Sequence, residues 1–317
     1  MQAIVVSGFG AVPEYVDLPE PEPGPNEILV RMHAAGYNPY DLKIVDGALK
    51  DLVEHRFPLI VGVDGAGVVE AVGEGVTRFM PGDRVYGRFQ DPARGLGSYA
   101  EYSVVGVDGS VARMPEGLLF EQAAAVPTAS ATGFDLVEAA RLDVGQRVLI
   151  VGASGGVGQA AVQFAAARGA HVIATATSDV AGFLRELGAT EIVDHTAGPV
   201  PEQVLALHRD GLDAVLDMVT PPAGIEPLVN LLRPGGVIVS TIFSLNPDTL
   251  AARKIRGINL LSEPDAARLA SLADLFDAGR LKIRLEALVP FQEAVDMLRN
   301  VHRHKARGKT VIEIASS

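Results

Sequence analysis

The residues best placed to do chemistry form a turn of small side chains, Gly152-Ala153-Ser154-Gly155-Gly156-Val157-Gly158, directly after the apolar run Val148-Leu149-Ile150-Val151. Such a run reads as a buried parallel strand, and small residues after it let the backbone turn sharply and approach a pyrophosphate. The helix-like stretch from Val157, "VGQAAVQFAAARG", would point its first amides at the anion. Glycine turns also serve tight packing alone, so context decides. Here the strand before, the helix after and a second strand, "HVIATAT", are all present. Ala153 stands where the usual fingerprint has its first glycine, a departure the turn tolerates.

The exit of the second strand bears on which dinucleotide binds. An acid there holds the ribose hydroxyls of NAD. This chain has Thr175-Ala176-Thr177-Ser178 instead. Nothing in that segment repels a 2′-phosphate and its hydroxyls can donate to one, so NADPH is expected. Against this, residues 175–180 contain no Arg or Lys, and Asp179 is a like charge nearby. The alternative is an ordinary strand exit indifferent to the phosphate.

Composition narrows the chemistry around such a turn. The chain has 317 residues, 48% hydrophobic and 21% charged, with 27 basic against 39 acidic side chains and a net charge of −12. That length predicts two domains, since single cores rarely exceed ~250–300 residues, and the acidity argues against nucleic acid as a partner. Cysteine is absent, which removes disulfides, thiolate catalysis and Cys-ligated zinc. No apolar run reaches the ~18 residues of a membrane span. The start, "MQAIVVSGFGAV", enters a strand pattern without a basic leader. A cytoplasmic enzyme with no membrane association is expected.

The elements that must position the turn change character along the chain. Residues 1–118 read as short strands ("AIVV", "EILVRMHAAG", "GAGVVEAVG", "DRVYG", "GSYAEYSVV") broken by Gly and Pro, which predicts a β-rich barrel-like module. From 119 to 284 strands alternate with helices, the pattern of a doubly wound parallel sheet. Residues 285–317 end in "KTVIEIAS", a strand that most simply rejoins the first module, making the α/β unit an insertion. The seven histidines read as unremarkable; His302 and His304 flank Arg303 at a basic helix end, where a contact with the helix dipole accounts for them better than a metal.

Taken in order, "LPEPEPGPNEILVRMHAAGYNPYDLKIVDG", "FPLIVGVDGAGVVEAVGEGVTRFMPGDRVYG", "GSYAEY", "AAAVPTASATGFDLV", "GASGGVG", "LRPGGVIVST" and "ARGKTVIEI" resemble the medium-chain dehydrogenase/reductase superfamily from end to end, and within it the zinc-free quinone oxidoreductase branch. The resemblance implies a Rossmann-like parallel sheet inserted in a GroES-like barrel domain, and NADPH-dependent hydride transfer to a quinone or an α,β-unsaturated carbonyl. Where the zinc branch carries Cys, His and Cys, this chain has Asn38, Val63 and Thr128. Amide, isopropyl and hydroxyl groups do not hold zinc, so no metal is expected.

By the same resemblance Asn38, Lys43 and Tyr40 are candidate catalytic residues. A turn-forming Asn before Pro39, a solvated lysine and a packing tyrosine are the plainer alternatives. Thr128 and Thr132 match positions near the nicotinamide, although hydroxyls at a helix start also cap it. Met218, Val219, Ile242 and Phe243 fall at carboxyl ends of later strands, His195 follows the third, and Arg307 and Lys309 match a tail segment that reaches back to the cofactor. An enoyl-thioester reductase is the first alternative, weakened because Gly47-Ala48-Leu49 lacks that group's tyrosine. A non-catalytic, crystallin-like NADPH-binding protein is the second. A homodimer is also implied, through pairing of "GGVIVSTIF" as an apolar edge strand. The segment 244–265 is expected to line the substrate pocket.

Overall fold

The computed structural model describes residues 1–48, 50–51, 53–300 and 307–315, so His302, Arg303 and His304 lie outside it. The chain forms two compact units, 1–129 with 264–317 and 130–263, the second inserted in the first.

The first unit opens with strands β1 (Gln2–Val6), β2 (Glu14–Asp17) and β3 (Glu27–Gly36), then helix α1 (Pro39–Val45). Strands β4 (Leu59–Ile60), β5 (Asp64–Val72), β6 (Arg84–Arg88), β7 (Tyr102–Gly106) and β8 (Val111–Arg113) follow, and helix α2 (Phe120–Ala124). Helix α3 (Pro127–Ala140) contains the boundary between the units. In the second unit, β9 (Arg147–Val151), α4 (Gly156–Ala167), β10 (His171–Thr175), α5 (Ser178–Glu186), β11 (Glu191–Val193) and α6 (Val200–Leu207) precede β12 (Leu212–Asp217). Then come α7 (Glu226–Val229), β13 (Leu232–Ser240), α8 (Pro247–Ala252) and β14 (Arg256–Asn259). The chain returns through α9 (Ala266–Asp277), β15 (Leu285–Pro290), α10 (Ala294–Asn300) and β16 (Lys309–Glu313).

The second unit's six strands run parallel in the order β11-β10-β9-β12-β13-β14. The chain therefore steps outward from β9 in one direction and resumes beside it in the other. This is the dinucleotide-binding order, with its crevice at the carboxyl ends where the order reverses. Leu149, Ile173, Val215 and Ile238 on neighbouring strands form the core. In the first unit β16 pairs antiparallel with β3 and parallel with β15, so the tail strand completes the sheet that β3, β5, β6, β7 and β8 build. A separate small sheet runs β2-β1-β4.

Two expectations shift. The units divide at 129/130 and 263/264 rather than at 118/119 and 284/285. Helix α2 packs on β3 and β5, closely enough that a Cβ on Gly36 would lie 2.2 Å from the carbonyl oxygen of Ala124. Helix α9 packs on β8, and the Tyr86 hydroxyl donates to the carbonyl of Leu269 at 2.6 Å. A helical pattern does not say which sheet the helix will cover. The second shift concerns "GGVIVSTIF", which is not an edge strand. Beside β13 runs β14, with Val237 opposite Arg256 and Ser240 opposite Asn259. Arg256-Gly257-Ile258-Asn259, expected to line a pocket, is thus the sheet's outermost strand, too short and polar to announce itself.

Candidate functional site

The turn after β9 has the shape that close approach to a phosphate needs. Gly152 has φ +89°, a region side chains rarely adopt. A Cβ on Gly158 would lie 2.3 Å from the Gly152 carbonyl oxygen and 2.5 Å from the Ala153 Cα, so only glycine lets α4 start this close to the strand. Ala153 is fully buried, its methyl turned into the unit, which is why alanine serves there. Gly152 and residues 154–157 stay partly exposed. Gly155 is the N-cap of the twelve-residue α4 and no side chain caps it, leaving the helix N-terminus to an external anion. These features fit a dinucleotide pyrophosphate.

The hydroxyls at the strand exit do not act alike. Thr175 is buried and its Oγ1 accepts from the Gly152 amide at 3.0 Å, pinning the turn to β10. Its oxygen is held by the turn itself, so the exposed hydroxyl at this strand exit is that of Ser178. Thr177 donates to Asp179, Ala176 is fully buried, and Ser178 is exposed. Around this end of the sheet stand several of the expected residues. Val219 is exposed beside the turn, its Cγ1 3.0 Å from where a Gly152 Cβ would be, and Met218 is half-buried. Phe243, 55% exposed, has φ +58°, with half-buried Ile242 before it. His195 is exposed just past β11, and Thr132 is buried within α3. Missed from sequence was Asp217, the fully buried last residue of β12, which accepts from the Thr220 hydroxyl at 2.8 Å and so shapes the turn bearing Met218 and Val219.

In the first unit the expected catalytic segment is tied into a buried polar network. Asn38 precedes α1, and its amide donates to Asp41 Oδ2 at 2.8 Å. The Tyr99 hydroxyl donates to the same oxygen at 2.7 Å. Asn38 Oδ1 accepts from Lys309 Nζ at 2.6 Å, and Lys309 also donates to the Tyr37 carbonyl at 2.6 Å. Asn38 Nδ2 donates to Asp64 Oδ2 at 3.0 Å and to the Gly36 carbonyl at 3.4 Å. The Thr128 amide and hydroxyl meet Asp64 at 3.0 and 2.6 Å. Asn38, Asp41, Asp64 and Lys309 are each 5% exposed or less. Burial pushes the Asp41 carboxyl up to about 7, opposed by the hydrogen bonds from Asn38 and Tyr99. Burial also lowers the Lys309 ammonium below its usual range, while Asp64 and Asp41 pull it back up.

Three assignments change accordingly. Asn38 does not present a free amide donor, because Asp64, Gly36 and Lys309 occupy both ends of its side chain. Lys309 does not reach for a cofactor; it is a buried cation gripping Asn38 and Tyr37. Thr128 is held by Asp64. Lys43 is exposed in the last turn of α1, Tyr40 is half-buried against the Ile4 and Ile44 cluster, and Arg307 is exposed with its amide on Glu286 at 2.7 Å. Asp41, Asp64 and Tyr99 were missed. Asp41 could have been found as the acid three residues after the Asn before a helix, and Asp64 as a lone carboxylate in the glycine-rich "GVDGAG".

Asn38 and Thr128 converge on Asp64, which follows buried Val63. An amide, a hydroxyl and an isopropyl group, with the nearby carboxylate already accepting three hydrogen bonds, do not fit a catalytic zinc. Among the described residues no helix is long and apolar enough to cross a membrane.

Comparison with known proteins matches both units. The alcohol dehydrogenase GroES-like domain matches residues 24–116, and the zinc-binding dehydrogenase domain matches residues 156–272. The chain is 34% identical to the quinone oxidoreductase of Sus scrofa, across 98% of this chain and 97% of that protein. It is 31% identical to the NAD(P)H oxidoreductase RTN4IP1, mitochondrial, of Danio rerio, across 92% of this chain and 84% of that one. The solved structure of the quinone oxidoreductase from Coxiella burnetii superposes with a TM-score of 0.87 at 30% identity, covering 99% of both chains.

Proposed function

The chain belongs to the quinone oxidoreductase-like medium-chain dehydrogenase/reductases, and from that premise we propose that it is an NADPH-dependent, zinc-independent reductase of quinones or α,β-unsaturated carbonyls. The observation that carries this reading is the turn after β9, with Gly158 closed on Ala153 and no side chain capping α4. The first amides of α4 hold the pyrophosphate. Exposed Ser178 donates to the 2′-phosphate, and residues 175–178 carry no acid to repel it. NADPH held there would supply the hydride, and an acceptor taking it would carry an anionic, enolate- or phenolate-like oxygen until a proton from solvent completes the reduction.

That oxygen needs a donor rather than a Lewis acid. Lys43 is the donor, exposed on α1 with Tyr40 three residues earlier on the same face. Asn38 acts one step back: fixed by Asp64 and Lys309, it sets where α1 begins. The protein works as a homodimer, a second copy pairing along the free edge of β14 rather than along β13.

The test is nicotinamide oxidation by untagged protein over a panel of benzoquinones, naphthoquinones and short enones. Turnover is expected with NADPH in preference to NADH, unchanged by dialysis against a chelator. Lys43→Met should lower kcat by ~10²-fold or more and leave NADPH affinity little altered. Tight NADPH binding without turnover on any acceptor would make the chain a binder rather than an enzyme. An unchanged kcat in Lys43→Met would remove the lysine from the chemistry.

A further inference from the structure

The second unit carries a cluster that plays no part in nucleotide binding. His171 is the first residue of β10, Glu191 the first of β11, and His208 the C-cap of α6. His171 Nε2 meets Glu191 Oε1, and His208 Nε2 meets Glu191 Oε2 at 3.0 Å. One ligand atom from each of the three lies within 4.8 Å of the other two. The side chains are 33%, 27% and 9% exposed in the order His171, Glu191, His208, so the cluster is rooted in the unit and open on one side. We propose that His171, Glu191 and His208 form a site for a divalent transition metal of the zinc or cobalt class.

Chemistry and placement both support it. Two imidazole nitrogens and one carboxylate suit borderline metals such as zinc, cobalt and nickel, and are a poor set for calcium or magnesium. Three protein ligands with an open side leave the remaining position to water. Ligand atoms held at ~2.0–2.2 Å by one tetrahedral metal stand ~3.4 Å apart, so the imidazole–carboxylate contacts open and any wider separation closes by on the order of 1 Å, movements that side-chain rotation supplies. The backbone beneath does not need to move. The His171 amide is bonded to the Gln146 carbonyl at 2.8 Å, the Thr190 amide to the Val172 carbonyl at 2.8 Å, and the His208 amide to the Val204 carbonyl at 2.8 Å. A site on such fixed elements is preorganised.

The position also says what the metal would do. His171 and Glu191 begin their strands, whereas the nucleotide turn follows the carboxyl end of β9. A five-residue strand separates the two ends by ~16 Å. The metal therefore takes no part in hydride transfer. It clips β10, β11 and α6 together, joining positions 20 and 17 residues apart in sequence. Binding to the folded state alone raises stability with metal concentration.

The experiment uses untagged full-length protein stripped with a chelator, then titrated with cobalt(II) near neutral pH. One equivalent should bind with a visible d–d absorption band of inner-sphere nitrogen and oxygen ligation. His171→Gln and Glu191→Gln, both at partly exposed positions, should each weaken binding by at least ~10-fold. Zinc should raise the melting temperature of the wild type by several degrees and leave the variants unmoved. Metal-free melting temperatures equal to the wild type's, and retained NADPH binding, show that the variants fold; if one does not fold, the other decides. No cobalt band, or an undiminished band in a folded variant, would overturn the proposal and leave a triad held by hydrogen bonds alone.

Discussion

Asp41→Asn should stabilise the first unit above neutral pH, and the size of the effect follows from where the carboxyl sits. Asp41 is 1% exposed, and burial pushes it from an ordinary 3.8 up to about 7. The folded value lies above the unfolded one. Between those two pH values the native state therefore keeps a proton that the unfolded chain has released, and stability falls as pH rises through the window. Below about pH 4 and above about pH 7 the contribution is flat. Three pH units at ~1.4 kcal/mol each give a loss of about 4 kcal/mol across it.

Asparagine carries no charge at any pH, and its oxygen can still accept from the Asn38 amide and the Tyr99 hydroxyl. Its new NH2 would stand where Asp41 Oδ1 has no hydrogen-bond partner, a pH-independent cost of about 1–3 kcal/mol. The variant should thus be weaker than wild type near pH 4, close to it near pH 5 and stronger near pH 8. The assay is urea unfolding followed by tyrosine emission. The chain has no tryptophan, and its six tyrosines, Tyr15, Tyr37, Tyr40, Tyr86, Tyr99 and Tyr102, all lie in the first unit, so the signal reports that unit alone. A stability difference that stays constant from about pH 5 to 8, or that moves in favour of wild type, would mean that Asp41 is ionised throughout and the reasoning is wrong.

Other outcomes follow from the same geometry. Lys309→Met strips the buried carboxylates of their cation and Asn38 of its donor, so the first unit should lose about 3–5 kcal/mol in the same urea assay, with the loss growing at alkaline pH. Gly158→Ala places a Cβ 2.3 Å from the Gly152 carbonyl; NADPH affinity measured by calorimetry should fall at least ~10-fold while the tyrosine transition is unmoved. Light scattering at micromolar concentration should give twice the chain mass, and Ile258→Asp on β14 should return it to one.

The glycine turn after β9 was legible because its signal is local. A strand, seven small residues and a helix follow one another, and the backbone demands at Gly152 and Gly158 are written in residue type. The insertion was legible from the switch between strand-only and alternating patterns. What could not be read depends on pairings that sequence does not encode locally. Lys309 meets Asn38 across 271 positions, and Thr128 meets Asp64 across 64. A lysine in "RGKT" reads as solvated or phosphate-seeking until β16 pairs with β3 and carries it inside. Nothing in "ATATS" reveals that the Thr175 hydroxyl oxygen accepts from the Gly152 amide, in the turn after the neighbouring strand. Strand β14 was hidden by its brevity.

The buried network can be understood as a problem of charge. Two carboxyls and one ammonium lie together with almost no exposure, and a net charge left there would be expensive. Lys309 can balance one carboxylate, not two. An Asp41 that keeps its proton to about pH 7 leaves Asp64 and Lys309 as an opposite-charge pair and makes the cluster neutral. Neutrality in turn lets three of the network's hydrogen bonds converge on one residue at the start of α1: Asp41 accepts from the Asn38 amide, Lys309 donates to its Oδ1, and Asp64 accepts from its Nδ2. The helix so fixed is only seven residues long, too short to hold its own shape in water. Lys43 and Tyr40 are therefore placed by the knot beneath them rather than by the helix that bears them. A change at Asp41 or Lys309 should then disturb turnover through the position of α1, lowering kcat more than it alters NADPH affinity.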